Sequence, residues 1–220
     1  MRATLNITCQ NKIMDKKTQM EQLEKSIKTC QKCRLCKSAL NAVPGEGNID
    51  AELAFIGEAP GENEDKTGRP FVGRAGMHLE NLLKEIGMKR SDVWIGNIIK
   101  HRPPENRDPL PDELDACQPY LTLQLRIMRP KLIVTLGRFS MNYFYKDGKI
   151  SKDRGTLIKV GEYNVFPVYH PAAALRNPTM ARDLREDFLK IPQVLKKVKE
   201  GAVVSTVSTA EIPDGQLGLF

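Results

Sequence analysis

The chain has 220 residues, 40% hydrophobic and 28% charged, enough to bury a core as one α/β domain with tails. Lys and Arg outnumber Asp and Glu by 34 to 27, a net charge of +7, which favours a polyanionic partner and ranks nucleic acid ahead of a membrane surface. No apolar run reaches transmembrane length and Met1 to Lys17 lacks the apolar stretch of a signal peptide, so the expectation is a cytoplasmic monomer whose five cysteines serve metal binding or chemistry before disulfides.

Residues 1–13 show no period and are expected to form a disordered N-terminal extension, with Cys9 a bystander and Met14 an alternative start. A helical pattern then runs through Leu23 and Ile27 to Cys30-x-x-Cys33, with Cys36 three residues on. A C-x2-C pair at a helix end sets two thiolates at metal-ligand spacing, and a closed site needs two further donors. Cys117, on a helix expected over Pro111 to Met128, is the third; the fourth lies among Cys36, Cys9 and a histidine. Zinc suits this set as well as an iron–sulfur cluster does, and a pair of buried reduced thiols is the plainer alternative.

Ala51 to Ile56 reads as the first core strand. It leads into GEAPGENEDKTGRPFVGRAG, Gly57 to Gly76, with five glycines, two prolines and four acidic residues. A loop of this length inside a compact domain is usually functional; its early glycines let backbone N–H groups approach a ligand, and Phe71 offers an aromatic face. Met77, Leu79, Leu82, Leu83 and Ile86 repeat at helical spacing until Gly87. Val93 to Ile99 is a second buried strand carrying Asn97, whose amide must be hydrogen-bonded and could offer donor and acceptor to a planar base. The basic loop from Lys100 to Arg107 follows, with Lys100, Arg102 and Arg107 suited to phosphates. Lys131 to Leu136 is a third strand, ending at Gly137 before a helix to Tyr145. Residues 146–162 read as a polar excursion, and Val165 to Tyr169 as a fourth strand that delivers His170-Pro171. A last amphipathic helix spans Met180 to Lys199. Strands alternating with helices give a parallel sheet covered on both faces, with ligands outside the carboxyl ends of the strands. Gly57-Glu58, Asn97, Gly137 and His170 therefore converge on one rim.

Together GEAPGENEDKTGRPFVGRAG, NIIKHRPPENRDP, KLIVTLGR and HPAAALRNP resemble the family 4 uracil-DNA glycosylases, the iron–sulfur branch of that superfamily. The resemblance covers the chain from about Cys30 to Lys199, within a domain expected over 14–199. It implies a three-layer α/β/α sandwich with a central four-stranded parallel sheet, and an enzyme that flips uracil from DNA and hydrolyses its N-glycosidic bond to start base excision repair. It also implies roles. Backbone N–H groups of Glu58 and Ala59 hold uracil O2, Phe71 stacks on the base, and Asn97 reads N3 and O4. His170 stabilises the departing anion, and Leu175 and Arg176 enter the duplex. Glu64, with Asp65 as second choice, assists the water or the sugar cation, because the best-known branch has an aspartate where Ala59 stands here. Lys100, Arg102 and Arg107 supply phosphate contacts. A 4Fe-4S cluster is implied on Cys30, Cys33, Cys117 and His101, the last in KHRPP where the family commonly has KCRPP; Cys36 is the alternative. Rival readings are a glycosylase for another deaminated base such as hypoxanthine, a non-catalytic iron–sulfur or zinc DNA-binding module, and a covalent DNA trap. The short loop from Lys100 to Pro109 lacks the extra segment that the trapping relatives carry.

Beyond that resemblance, residues 200–215 read as a flexible tether. The closing Gln216-Leu217-Gly218-Leu219-Phe220 resembles the bacterial sliding-clamp-binding motif, in which Gln216, Leu217, Leu219 and Phe220 would fill a groove on the clamp.

Overall fold

The computed structural model describes residues 14–201 and 205–206; the extension with Cys9 and the Gln216–Phe220 motif lie outside the described residues. Helix α1 spans Lys16–Lys28. Asp15 starts it by accepting the Thr18 N–H at 3.0 Å, and Met20, Leu23 and Ile27 form its buried stripe. A 3-10 turn, Arg34–Lys37, carries Cys36. Next come β1 (Glu46–Gly47), β2 (Leu53–Gly57), α2 (Glu62–Thr67), α3 (Arg74–Glu85), β3 (Trp94–Asn97), α4 (Pro111–Met128), β4 (Leu132–Leu136), α5 (Arg138–Phe144) and α6 (Ile150–Asp153). The chain continues through β5 (Ile158–Val160), β6 (Tyr163–Val168), α7 (Pro171–Ala174), α8 (Pro178–Lys199) and β7 (Ser205–Thr206).

The strands form one sheet in the order β1-β3-β2-β4-β6-β5-β7. β3, β2, β4 and β6 run parallel at its centre, as expected. The sheet is wider than four strands and mixed, because β1 pairs antiparallel with β3, β5 pairs antiparallel with β6, and β7 pairs with β5. β1, β5 and β7 hold two, three and two residues, too short for alternation to register in sequence. Within the 200–215 stretch, Ser205–Thr206 thus join the sheet edge. The glycine-rich segment also differs from a continuous loop, since α2 forms inside it and Gly68 ends α2 at φ +68°.

Strand pleating divides the core into two layers. Ala54 and Ile56 face the layer built with Leu23 and Ile27 of α1 and Leu121 and Leu125 of α4. Leu53 and Phe55 face the layer built with Leu79 and Leu83 of α3 and Leu184 and Phe188 of α8. Every residue of β2, β3 and β4 is buried, which explains why these strands read as unbroken apolar runs. Among the described residues no helix is long and apolar enough to cross a membrane.

Candidate active site

The parallel register sets Gly57 of β2 opposite Asn97 of β3. Two further bonds, Ile98 N–H to Gly57 O at 3.0 Å and Ile99 N–H to Glu58 O at 2.9 Å, extend the pairing past the strand ends. Beside them opens a cavity of about 340 Å³ lined by Glu58, Ala59, Glu64, Phe71, Asn97 and His170, with Arg107 and Arg176 on its margin. A Cβ at Gly57 would collide with both Asn97 Oδ1 and the Phe71 ring, so glycine is what lets the amide and the aromatic face meet.

Asn97 is 1% exposed, yet its Oδ1 has no hydrogen-bond partner. An unsatisfied buried acceptor costs about 1–3 kcal/mol, so this oxygen is held ready for a donor arriving in the cavity. Phe71 is also costly. Its backbone lies at φ +52°, a left-handed conformation costing about 1–3 kcal/mol for a non-glycine residue. The segment around it is tied on both sides. Glu64 Oε1 accepts the N–H groups of Val72 and Gly73, both at 2.8 Å, and Arg90 donates to Phe71 O at 3.0 Å and to Pro70 O. The Phe71 ring stacks on His170 with centroids 5.9 Å apart.

His170 accepts the Ala172 N–H on Nδ1 at 3.1 Å, which assigns the proton of the neutral ring to Nε2. Burial drives its pKa down to about 4, against the opposing pull of the Glu64 charge. The ring is therefore a neutral donor at pH 7. Glu64 spends three lone pairs on backbone, the third on Gly61 N–H at 3.1 Å, and so shapes the loop. Burial, reinforced by Asp108 and opposed by Arg138, pushes the Glu58 carboxyl up to about 7; its place at the end of a buried strand was the available signal. Asp65 is not brought to the cavity. It is buried on the cysteine side, accepting Leu40 N–H at 2.9 Å and Asn41 N–H at 3.1 Å.

One of the expected phosphate contacts is corrected. Lys100 is 1% exposed, and its ammonium donates to Asn97 O at 2.8 Å, Gln124 Oε1 at 2.7 Å and Pro44 O at 3.3 Å. Burial lowers its pKa to about 8. Arg107 forks onto the fully buried Glu113 carboxylate at 2.6 and 2.8 Å, so its guanidinium braces the loop. Arg102 is half-buried against Asn106 at 2.8 Å. Leu175 is 42% exposed and Arg176 is exposed beside the cavity. Arg90, Glu46 and Gln124 had escaped sequence reasoning, because an isolated charge or amide in sequence does not reveal its partner.

On the other side of β3's continuation lies a cleft of about 800 Å³ lined by Cys30, Cys36 and His101, among others. Cys117 is buried and its Sγ accepts the Lys100 N–H at 3.1 Å. Burial pushes the Cys117 thiol up to about 12 despite the Lys100 charge, with Cys33 and Cys30 near enough to raise it further. His101 is lowered by burial, with Asp65 opposing. Cys30, Cys33, Cys36 and Cys117 are free thiols. Among the described residues no three His, Cys, Asp or Glu side chains group closely enough to hold a metal ion.

The uracil DNA glycosylase superfamily model matches residues 44–196, the span that contains β1 to β6 and this cavity. A protein of Sulfurisphaera tokodaii named type-4 uracil-DNA glycosylase is 52% identical over 185 residues, covering 80% of this chain and 84% of its own. One of the same name from Saccharolobus solfataricus is 50% identical, covering 80% and 86%. Another from Thermotoga maritima is 46% identical, covering 81% and 95%. With a family model matched over most of its length and this level of identity across most of each relative, the chain belongs to the uracil-DNA glycosylase superfamily and, within it, to the type-4 uracil-DNA glycosylases.

Proposed function

We propose that the protein is a DNA repair glycosylase that extrudes uracil from DNA and hydrolyses its N-glycosidic bond. The observation that carries this reading is the buried, unpartnered Oδ1 of Asn97 beside the Phe71 ring and a neutral His170. Uracil presents N3–H and O4 on one edge, and an amide supplies the matching acceptor and donor. Cytosine presents an unprotonated N3 and an amino group there, which leaves the amide mispaired. A site built to hydrogen-bond its substrate rejects mismatches strongly because buried polar groups are then left unpaired.

Extruding a base costs a few kcal/mol, and stacking on Phe71, worth about 1–3 kcal/mol per base, offsets much of it. Bond cleavage then places positive charge on the sugar and negative charge on uracil. The Glu58 and Ala59 N–H groups and His170 Nε2–H donate to O2 as that charge develops. One preorganised donor of this kind is worth roughly 2.7–4 kcal/mol. The neutral imidazole acts as a hydrogen-bond donor and keeps its proton. Glu64 remains the assignment for easing water attack or the sugar cation, since it lines the cavity and retains one unoccupied lone pair. Leu175 and Arg176 fill the gap left in the duplex, and Arg102, Arg107 and Arg176 contact phosphates.

A 4Fe-4S cluster is assigned to Cys30, Cys33 and Cys117 with His101 or Cys36 as fourth ligand. Cys30, Cys36 and His101 line one cleft, and Cys117 lies near enough to Cys30 and Cys33 for their charges to bear on its thiol. These ligands would let a bound cluster tie α4 to the turn after α1, and imidazole ligation would raise its reduction potential. The tail motif Gln216, Leu217, Leu219 and Phe220 is assigned to a bacterial sliding clamp on sequence alone, with the micromolar strength usual for short motifs, about −8 kcal/mol.

The test is incubation of the protein with an oligonucleotide containing one uracil, then alkali. Strand scission at that position alone is the expected result. An intact uracil strand would remove the reading.

A further inference from the structure

Besides Glu64, groups outside the cavity keep the Phe71 platform in its left-handed backbone conformation. Arg90, in the turn before β3, donates from Nη1 to Phe71 O at 3.0 Å and from Nη2 to Pro70 O. Its Nε donates to Glu46 Oε1 at 2.6 Å, so the guanidinium is fixed by one carboxylate while gripping two consecutive carbonyls. Glu46 is fixed in turn by Arg69, with Nε on Oε2 at 2.8 Å and Nη2 on Oε1 at 3.0 Å. These are rigid pairings, since the planar fork of arginine loses little freedom per bond formed. Arg90 is half-buried, its side chain 19% exposed. The turn that holds it also abuts β3, the strand carrying Asn97. Neither Arg90 nor Glu46 lines the cavity.

We propose that Arg90, braced by Glu46, is a positioning residue that fixes the Phe71 ring for stacking on the extruded base. The proposal rests on the reading of the cavity as a uracil site. Without the clamp, residues 70–71 relax toward ordinary backbone angles and the ring leaves its place between Gly57 and His170. Part of the base-binding energy then goes into restoring the conformation.

The experiment measures inhibition of excision by free uracil, together with affinity for a duplex carrying an abasic site, in the full chain. Arg90→Met, Phe71→Ala and the double variant are compared with wild type. Arg90→Met should weaken uracil inhibition about tenfold, within the range of one lost stacking contact, and leave abasic-site affinity within about twofold. In the Phe71→Ala background the same substitution should add almost nothing, because interacting residues are not additive. A merely structural role predicts the same factor in both backgrounds, and that outcome overturns the proposal, as does unchanged inhibition in Arg90→Met. If Arg90→Met fails to fold, Glu46→Gln and Arg90→Lys decide the matter through the same pairing with Phe71→Ala. Wild-type protein that releases no uracil defeats the functional reading itself, whereas active wild type with an additive Arg90 defeats only the clamp.

Discussion

At the scale of single residues, the site depends on groups kept away from their ordinary states. Asn97 Oδ1 is buried without a partner, Phe71 sits at positive φ, and the His170 pKa is pressed down to about 4 by burial. Between about pH 6.5 and 4 the unfolded chain holds a proton that the folded imidazole refuses, so His170 makes the fold lose stability as pH falls through that window. Its ring carbons should keep neutral-form NMR shifts at pH 5.5; a His170 midpoint near 6.5 would contradict the assignment. His170→Ala should cut the single-turnover excision rate by roughly 10²–10³ with little change in DNA affinity. Asn97, Phe71 and His170 were legible in sequence because each stands at a strand end or in the glycine-rich segment. Lys100 was misread as a phosphate ligand because sequence shows a charge and not its partner. Its partners are Gln124 of α4 and the carbonyls of Pro44 and Asn97.

At the scale of elements, Lys100 joins the two functional sides. Its ammonium fastens Asn97 O to α4 through Gln124, and its N–H meets Cys117 Sγ. Lys100→Met strands these acceptors, at about 1–3 kcal/mol for each one left buried, and a clear drop in thermal midpoint is expected. Its DNA affinity should keep the wild-type dependence on salt. A shallower salt slope with an unchanged midpoint would restore Lys100 to the phosphate contacts. Purified protein should also be brown with bound iron. Cys117→Ala should lose the colour and His101→Cys should keep it, as visible absorbance and metal analysis would read; a colourless wild type carrying stoichiometric zinc would sink the iron assignment. The four central strands and the long helices were visible in sequence as apolar runs and 3.6-residue stripes. The edge strands and α2 were not, since two to six residues carry too little period, and α2 is fixed by Glu64 contacts rather than by an apolar face.

At the scale of the whole molecule, a chain of net charge +7 sets its candidate base pocket beside an exposed apolar Leu175 and an exposed Arg176. Arg176→Ala should weaken binding to any duplex and reduce the salt slope by about one. A slope equal to wild type would remove Arg176 from the phosphate contacts. The central claim is that the buried amide of Asn97 selects uracil. The most direct measurement quantifies free base released from two duplexes that differ only in carrying uracil or cytosine at one position, with wild-type and Asn97→Asp protein. The account predicts release of uracil alone by the wild type, and a loss of roughly 10²-fold or more in Asn97→Asp, whose carboxylate cannot donate to O4. Equal rates on uracil for the two proteins, or no uracil released by the wild type, would contradict it.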